Sequence, residues 1–138
     1  MAILTVIDIN SETKPVLSVG NELANTFGEE QVILQVISDS DDEMEMKETI
    51  EKRVRDDIGE IDDTTIEIDK EPSFWEVNDP AERVASQVTD RAEEIDANYI
   101  VVGSRKRSPA GKAILGSVAQ KVLLNSAAPV VIADQSGE

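Results

Sequence analysis

The residues best suited to chemistry lie in one run, Gly103-Ser104-Arg105-Lys106-Arg107-Ser108-Pro109-Ala110-Gly111-Lys112-Ala113-Ile114-Leu115-Gly116-Ser117. An apolar stretch ends at Gly103, a cationic loop follows from Ser104 to about Leu115, and Gly116-Ser117 then opens a helix. The first amides of a helix have no carbonyl partners within it, and that end carries about half a positive charge. An anion therefore finds donors there. Gly116 lets it approach the backbone closely, and the Ser117 hydroxyl adds a donor. Arg105 or Lys106 can neutralise further charge. The chemistry this run suits is phosphate binding; the plain competing reading is an ordinary loop and helix cap.

Charge distribution favours the anion site. The chain of 138 residues holds 29 acids and 13 bases, a net charge of −16. Yet between residues 97 and 133 there is no Asp or Glu, while Arg105, Lys106, Arg107, Lys112 and Lys121 all fall there. The overall acidity repels nucleic acid and anionic membrane at long range, so neither is an expected partner. It also suits a chain adapted to a high-salt cytoplasm, where screening quiets self-repulsion.

Composition removes other chemistries. With no Cys there are no disulfides, thiolate nucleophiles or cysteine zinc sites. With no His there is no Ser–His–Asp triad, no histidine metal site and no ordinary general base near neutrality. The dinucleotide pattern G-x-G-x-x-G is missing after the first apolar run, where Asp8-Ile9-Asn10-Ser11 stands instead. A P-loop fails twice: Ala113 follows Gly111-Lys112, and Lys106 stands where the first glycine belongs. A phosphorylated receiver domain would need clustered acids and a Lys after the last strand, and only Asp8 fits. No stretch of 18 apolar residues could cross a membrane, and Met1-Ala2-Ile3-Leu4 lacks the basic start of a signal peptide.

The elements that must position these residues follow from periodicity. Residues 2–7 (A-I-L-T-V-I), 32–37 (V-I-L-Q-V-I), 99–102 (Y-I-V-V) and 129–133 (P-V-V-I-A) are short apolar runs suited to strands buried on both faces. Residues 64–69 (T-T-I-E-I-D) alternate and suit an edge strand. Between them, Val16, Val19, Leu23 and Phe27 repeat at helical spacing after a Ser11 cap and Pro15, stopping at Gly28. Residues 41–55 form a charged helix with Met46, Ile50, Val54 and Ile58 on one stripe. Asp79-Pro80-Ala81-Glu82 starts a third helix with Val84, Val88, Ala92 and Ile95 inward. Val118, Ala119, Val122 and Leu123 are the inward positions of the last helix. Phe74 and Trp75 cover the end of the core or offer a partner surface. The alternation is that of an α/β domain: a five-stranded parallel sheet with helices on both faces, ligands binding beyond the carboxyl ends of the strands. One domain spans residues 1–138, with 134–138 as a frayed tail.

Residues 99–132, with Ile100-Val101-Val102 before the loop and Ala128-Pro129-Val130-Val131-Ile132 after it, resemble the C-terminal signature of the universal stress protein family. Asp8, Ile33-Leu34-Gln35-Val36 and Asp79-Pro80-Ala81 match that family as well. The resemblance covers essentially the whole chain. It implies a Rossmann-like sheet in order 3-2-1-4-5, an ATP-type site in some members, and a cytoplasmic stress-response role that is seldom catalytic. The nucleotide-binding branch carries G-x2-G-x9-G-[ST]. Gly103, Gly116 and Ser117 keep its spacing, while Lys106 replaces the middle glycine. Lys106 either binds phosphate through its ammonium or fills the pocket. By the same resemblance Asp8 and Val36 face adenine and ribose, and the amides of Ser117, Val118 and Ala119 face the phosphates. Many members have a hydroxyl residue where this chain has Ala119.

The leading expectation is thus a binding protein that holds ATP or another adenine nucleotide, with Mg²⁺ on the phosphates, and signals by occupancy. The competing expectations are a member that binds no nucleotide, blocked by Lys106, and a slow ATPase using Asp8 and a metal-bound water. In order 3-2-1-4-5 the strand at 129–133 is an unguarded apolar edge that should pair with its copy in a homodimer.

Overall fold

Four apolar runs and one alternating run become five parallel strands, the alternating one, half-exposed, at an edge. In the computed structural model, which describes residues 2–37, 41–59, 64–70, 80–107 and 113–134, these are β1 (Ala2–Val6), β2 (Glu30–Ile37), β3 (Thr64–Lys70), β4 (Ala97–Gly103) and, after a two-stranded ribbon, β7 (Val130–Ala133). Their order is β3-β2-β1-β4-β7, the 3-2-1-4-5 arrangement of the five main strands. Register runs Leu4 to Val32 on one side of β1 and Leu4 to Ile100 on the other. Helices α1 (Lys14–Phe27), α2 (Glu43–Ile58), α3 (Pro80–Glu94) and α4 (Ser117–Asn125) cover both faces.

Strand alternation divides the core in two. Leu4, Leu34, Ile100 and Val102 face Val88 of α3 and Val122 of α4. Ile3, Ile33 and Val101 face Val16 and Leu17 of α1 and Ile50 and Val54 of α2. Both layers are aliphatic, as the scarcity of aromatics requires. Two of the four aromatic residues, Phe27 and Tyr99, stack on each other at the amino-terminal end of the sheet, ring centroids 5.6 Å apart.

The structure departs from expectation in local detail. Helix α1 starts at Lys14, so its N-cap is Thr13 rather than Ser11. Ser11 lies two residues earlier, in a turn where its amide donates to the Asp8 carbonyl. Thr13 does not cap with its side chain either. Its hydroxyl donates to Asp57 Oδ2 at 2.6 Å and accepts from Arg53 Nη1, tying α1 to α2. The buried stripe of α1 is Val16, Leu17, Gly20 and Ala24; Phe27 is exposed. Helix α2 is capped by Asp42, whose carboxylate accepts from the Met44 and Glu45 amides. The span expected to be a loop contains an antiparallel ribbon, β5 (Arg105–Arg107) against β6 (Ala113–Leu115), with Lys106 opposite Ile114. Phe74, Trp75, Asp79, Lys112 and the tail at 135–138 lie outside the described residues.

Edge strand β3 is held to α3 by a two-pronged pair. Arg91 Nε and Nη2 reach the two Glu67 carboxylate oxygens at 2.7 and 2.6 Å, and Nη1 reaches Glu94 at 3.4 Å. The bond to Glu67 raises the Arg91 pKa above its already high ordinary value, against a lowering by burial. Both side chains are about one-third exposed or less, so solvent weakens the pair. Arg91→Ala is expected to destabilise by about 1 kcal/mol, a drop of a few degrees in the thermal midpoint, with Arg91→Lys recovering less than half for want of the fork. An unchanged midpoint in Arg91→Ala would show that the pair adds nothing.

Candidate functional site

The strand order reverses between β1 and β4, since the chain runs outward from β1 to β2 and β3 and returns through α3 to β4 on the other side, and a crevice opens beyond the carboxyl ends there. A cleft of about 310 Å³ occupies that position, within the size range of small-molecule sites. Its walls are the turn after β1 (Asp8, Ile9, Asn10), the end of β2 (Gln35, Val36, Ile37), the end of β4 (Val102, Gly103) and the first turn of α4 (Val118, Ala119). Met46 of α2 and Val84 of α3 close its sides.

The turn after β1 is internally braced. Asp8 Oδ1 accepts the Asn10 amide at 3.0 Å, and the Asp8 carbonyl accepts the Ser11 amide at 2.9 Å. That is an Asx-type turn, which aspartate forms readily. Asp8 itself is half-buried at the mouth of the cleft.

Val36 contributes its main chain. The Leu34 carbonyl accepts the Ile7 amide at 3.0 Å, so even-numbered residues of β2 point their polar backbone groups toward β1. β1 stops at Val6. Two residues past Leu34, the backbone edge of Val36 therefore faces the space where β1 no longer runs, and that space is the cleft.

At the opposite wall, Gly116 is the N-cap of α4 with extended backbone, φ −72° and ψ 167°. Its amide donates to the Ser104 carbonyl at 3.0 Å, and its carbonyl accepts the Gln120 amide. Ser104, buried, in turn donates its amide to the Ala133 carbonyl, locking the helix start to β7. The Gly116 amide is thus spent on structure, and the anion donors of this helix are the amides of Ser117, Val118 and Ala119.

Of the residues singled out from sequence, the cleft brings together Asp8, Val36, Gly103, Val118 and Ala119. Gly116 and Ser117 sit just beyond its lining, at the same helix end. Arg105 and Lys106 belong to the ribbon that leaves Gly103, and their side chains lie outside the described part. Sequence reasoning missed Gln35, Asn10, Asp41 and Met46. A single amide inside the apolar run V-I-L-Q-V-I was the one available signal, for Gln35.

No described helix is long and apolar enough to cross a membrane. Among the described residues no three His, Cys, Asp or Glu side chains converge on a metal position.

Comparison with known proteins gives consistent matches. The universal stress protein family matches residues 1–134. A universal stress protein of Mycolicibacterium smegmatis is 32% identical over 80 residues, which is 57% of this chain and 62% of that relative. The match therefore spans less than two-thirds of the relative's length. The structure of a universal stress protein from Archaeoglobus fulgidus superposes with a TM-score of 0.71 at 29% identity, covering 96% of this chain and 98% of that one. A universal stress protein from the same organism in complex with dAMP superposes at 0.68, with 23% identity and 96% and 97% coverage.

Proposed function

This chain belongs to the universal stress protein family, and from that premise we propose that it is a cytoplasmic stress-response protein that binds an adenine nucleotide of the ATP type in the cleft beyond β1, β2 and β4. The observation that carries the reading is the convergence, on one cleft, of the main-chain edge of Val36 beyond the end of β1 and the first turn of α4. A strand edge offers one donor and one acceptor side by side, the complement of a purine's ring nitrogen and exocyclic group. The helix end offers amides and a partial positive charge to phosphate. Asp8, at the mouth between them, is placed to accept from ribose hydroxyls. The dAMP bound by the Archaeoglobus relative supports the same ligand class here.

Mg²⁺ enters this reading as a companion of the phosphates, where it would screen their charge. The protein's output is occupancy rather than turnover. The edge of β7 pairs with its copy in a homodimer. The acid excess belongs to life in a high-salt cytoplasm.

Calorimetric titration with AMP and ATP in 2 M KCl tests the reading. Binding is expected for both, and Asp8→Ala is expected to weaken it about tenfold by removing one charged acceptor. Absence of heat, together with an unshifted melting point in millimolar ATP, would refute nucleotide binding. A second reading, a member that binds no nucleotide and acts through protein contacts, is favoured by one feature: Lys106 stands at the motif's middle glycine. Under it, Lys106→Gly gains ATP affinity; a loss of affinity would make the lysine a phosphate ligand.

A further inference from the structure

The inner wall of the cleft holds an amide that the nucleotide reading does not use. Gln35 interrupts an aliphatic strand, is only 6% exposed, and lines the cleft. Its Oε1 accepts the Ile9 amide at 2.8 Å, and its Nε2 donates to the Val36 carbonyl at 2.8 Å. One partner is a donor and the other an acceptor, so the two bonds fix which way round the carboxamide lies. Gln35 therefore clamps the turn that carries Asp8 and Asn10 to the strand edge that faces the cleft.

The clamp leaves capacity on both atoms. An amide nitrogen has two hydrogens, and among the described residues the Val36 carbonyl is its one acceptor. A carbonyl oxygen has two lone pairs, so that of Val36 can accept once more. A spare acceptor and a spare donor thus lie 2.8 Å apart on the wall against which a base edge would rest. A 6-aminopurine presents a donor at C6 and an acceptor at N1. A 6-oxopurine presents the reverse, an acceptor at C6 and an N1–H donor. The main chain of Val36 alone suits the first pattern; the added Gln35 hydrogen supplies a donor for an oxo group beside an acceptor for N1–H.

We propose that Gln35 makes the cleft tolerant at purine C6, so that it takes 6-oxopurine nucleotides of the inosine type alongside 6-aminopurine ones. This rests on the nucleotide reading above and deepens it. Gln35 is then a specificity residue, deciding between bases by the donor it adds.

The test is titration of AMP and IMP, in 2 M KCl, against the wild-type chain, Gln35→Met and Gln35→Glu. Wild type is expected to bind the two within about tenfold of each other. Gln35→Met, similar in volume, loses the clamp for both nucleotides and the donor for IMP alone, so its loss of IMP affinity is expected to exceed its loss of AMP affinity by about tenfold or more. Gln35→Glu keeps an acceptor for the Ile9 amide, so the turn stays clamped, and is expected to show the same selective loss. It also serves if Gln35→Met does not fold. A wild-type preference for AMP beyond tenfold would overturn the proposal. So would an equal loss of both nucleotides in the variants, which is what a purely structural Gln35 would give. If neither nucleotide binds the wild type, the nucleotide reading itself fails and this proposal with it; AMP binding without IMP binding sinks only the tolerance at C6.

Discussion

Gly20→Ala is expected to destabilise the protein by about 3–5 kcal/mol and to lower its thermal midpoint by about 10 °C or more. Gly20 lies mid-helix in α1, fully covered, where the helix crosses β1 and β2. A Cβ placed there would meet Thr5 Oγ1 and Gln31 Oε1 well inside 3.0 Å, a separation that real Cβ atoms essentially never show. Those two atoms are themselves hydrogen-bonded at 2.7 Å in the core, Thr5 at 0% and Gln31 at 1% exposure. Relief therefore needs either a shift of the helix or rupture of that bond. Gln31 already has a buried Nε2 without a partner, so rupture would leave its whole amide unsatisfied. Thr5 has little freedom to turn away, because its Cβ would stand only 3.2 Å from the new methyl. The geometry also predicts non-additivity. Thr5→Ala alone orphans Gln31 and costs about 1–3 kcal/mol, but in the Gly20→Ala background it removes one of the two clashing oxygens and releases Gln31 Oε1, the other, from its bond, so the double variant should be more stable than the sum of the two losses. Chemical denaturation of the four proteins reads this cycle directly. Independent additive losses would show that the helix simply moves away.

That polar junction also shows where reading the sequence runs out. The four apolar runs and the one alternating run each became a strand, because strands covered on both faces advertise themselves by composition. Polar residues inside such runs carry no such signal. Thr5, Gln31 and Gln35 look alike on paper, as single interruptions or flanks of aliphatic stretches. Only the packing shows that Thr5 and Gln31 satisfy each other under Gly20 while Gln35 faces the cleft. The face used by α1 is legible in part for a related reason. Of the periodic residues, Val16 is buried and Val19 and Leu23 pack against the core, while Phe27 is exposed; close approach to the sheet also selects small residues, Gly20 and Ala24, which periodicity of large ones does not mark. The ribbon of β5 and β6 was invisible because Arg105-Lys106-Arg107 has neither alternation nor β-branching to mark a strand. The place of the cleft, beyond the carboxyl ends of the strands, was legible from the alternation of elements, and Gly103 from the run that ends there, whereas Asp8, Val36, Val118 and Ala119 came from the family resemblance. Met46 and Asp41 reach it from the α2 side, and no local pattern announces that.

The thermal midpoint is expected to rise by about 10 °C or more between 0.1 and 2 M KCl, because the Debye length shrinks from about 10 Å to below 3 Å and the repulsion of a −16 chain is screened. General self-repulsion is joined by a local conflict at the carboxyl end of α3. Asp90, Glu93 and Glu94 fall in its last turns and Asp96 follows, with Arg91 the basic residue of the last turn. The helix dipole places partial negative charge at that end, so these acids oppose both it and one another. Arg91 is already engaged by Glu67 and Glu94. Asp96 also takes a left-handed backbone, φ 54°, where the chain turns from α3 into β4. Glu93 is exposed, and its carbonyl accepts the Asp96 amide, a bond that any residue at 93 can make. Glu93→Lys should therefore raise the midpoint by a few degrees at 0.1 M KCl through charge alone, and the gain should vanish at 2 M. The same melting curves separate screening from a general salt effect on apolar burial. Screening predicts that the variant's midpoint depends less steeply on salt than the wild type's, with the two converging at high concentration. A stabilisation in Glu93→Lys that persists undiminished at 2 M would mean that helix propensity or packing, and not the field of the acids, sets stability at this corner. A midpoint indifferent to salt in both proteins would remove repulsion from the account altogether.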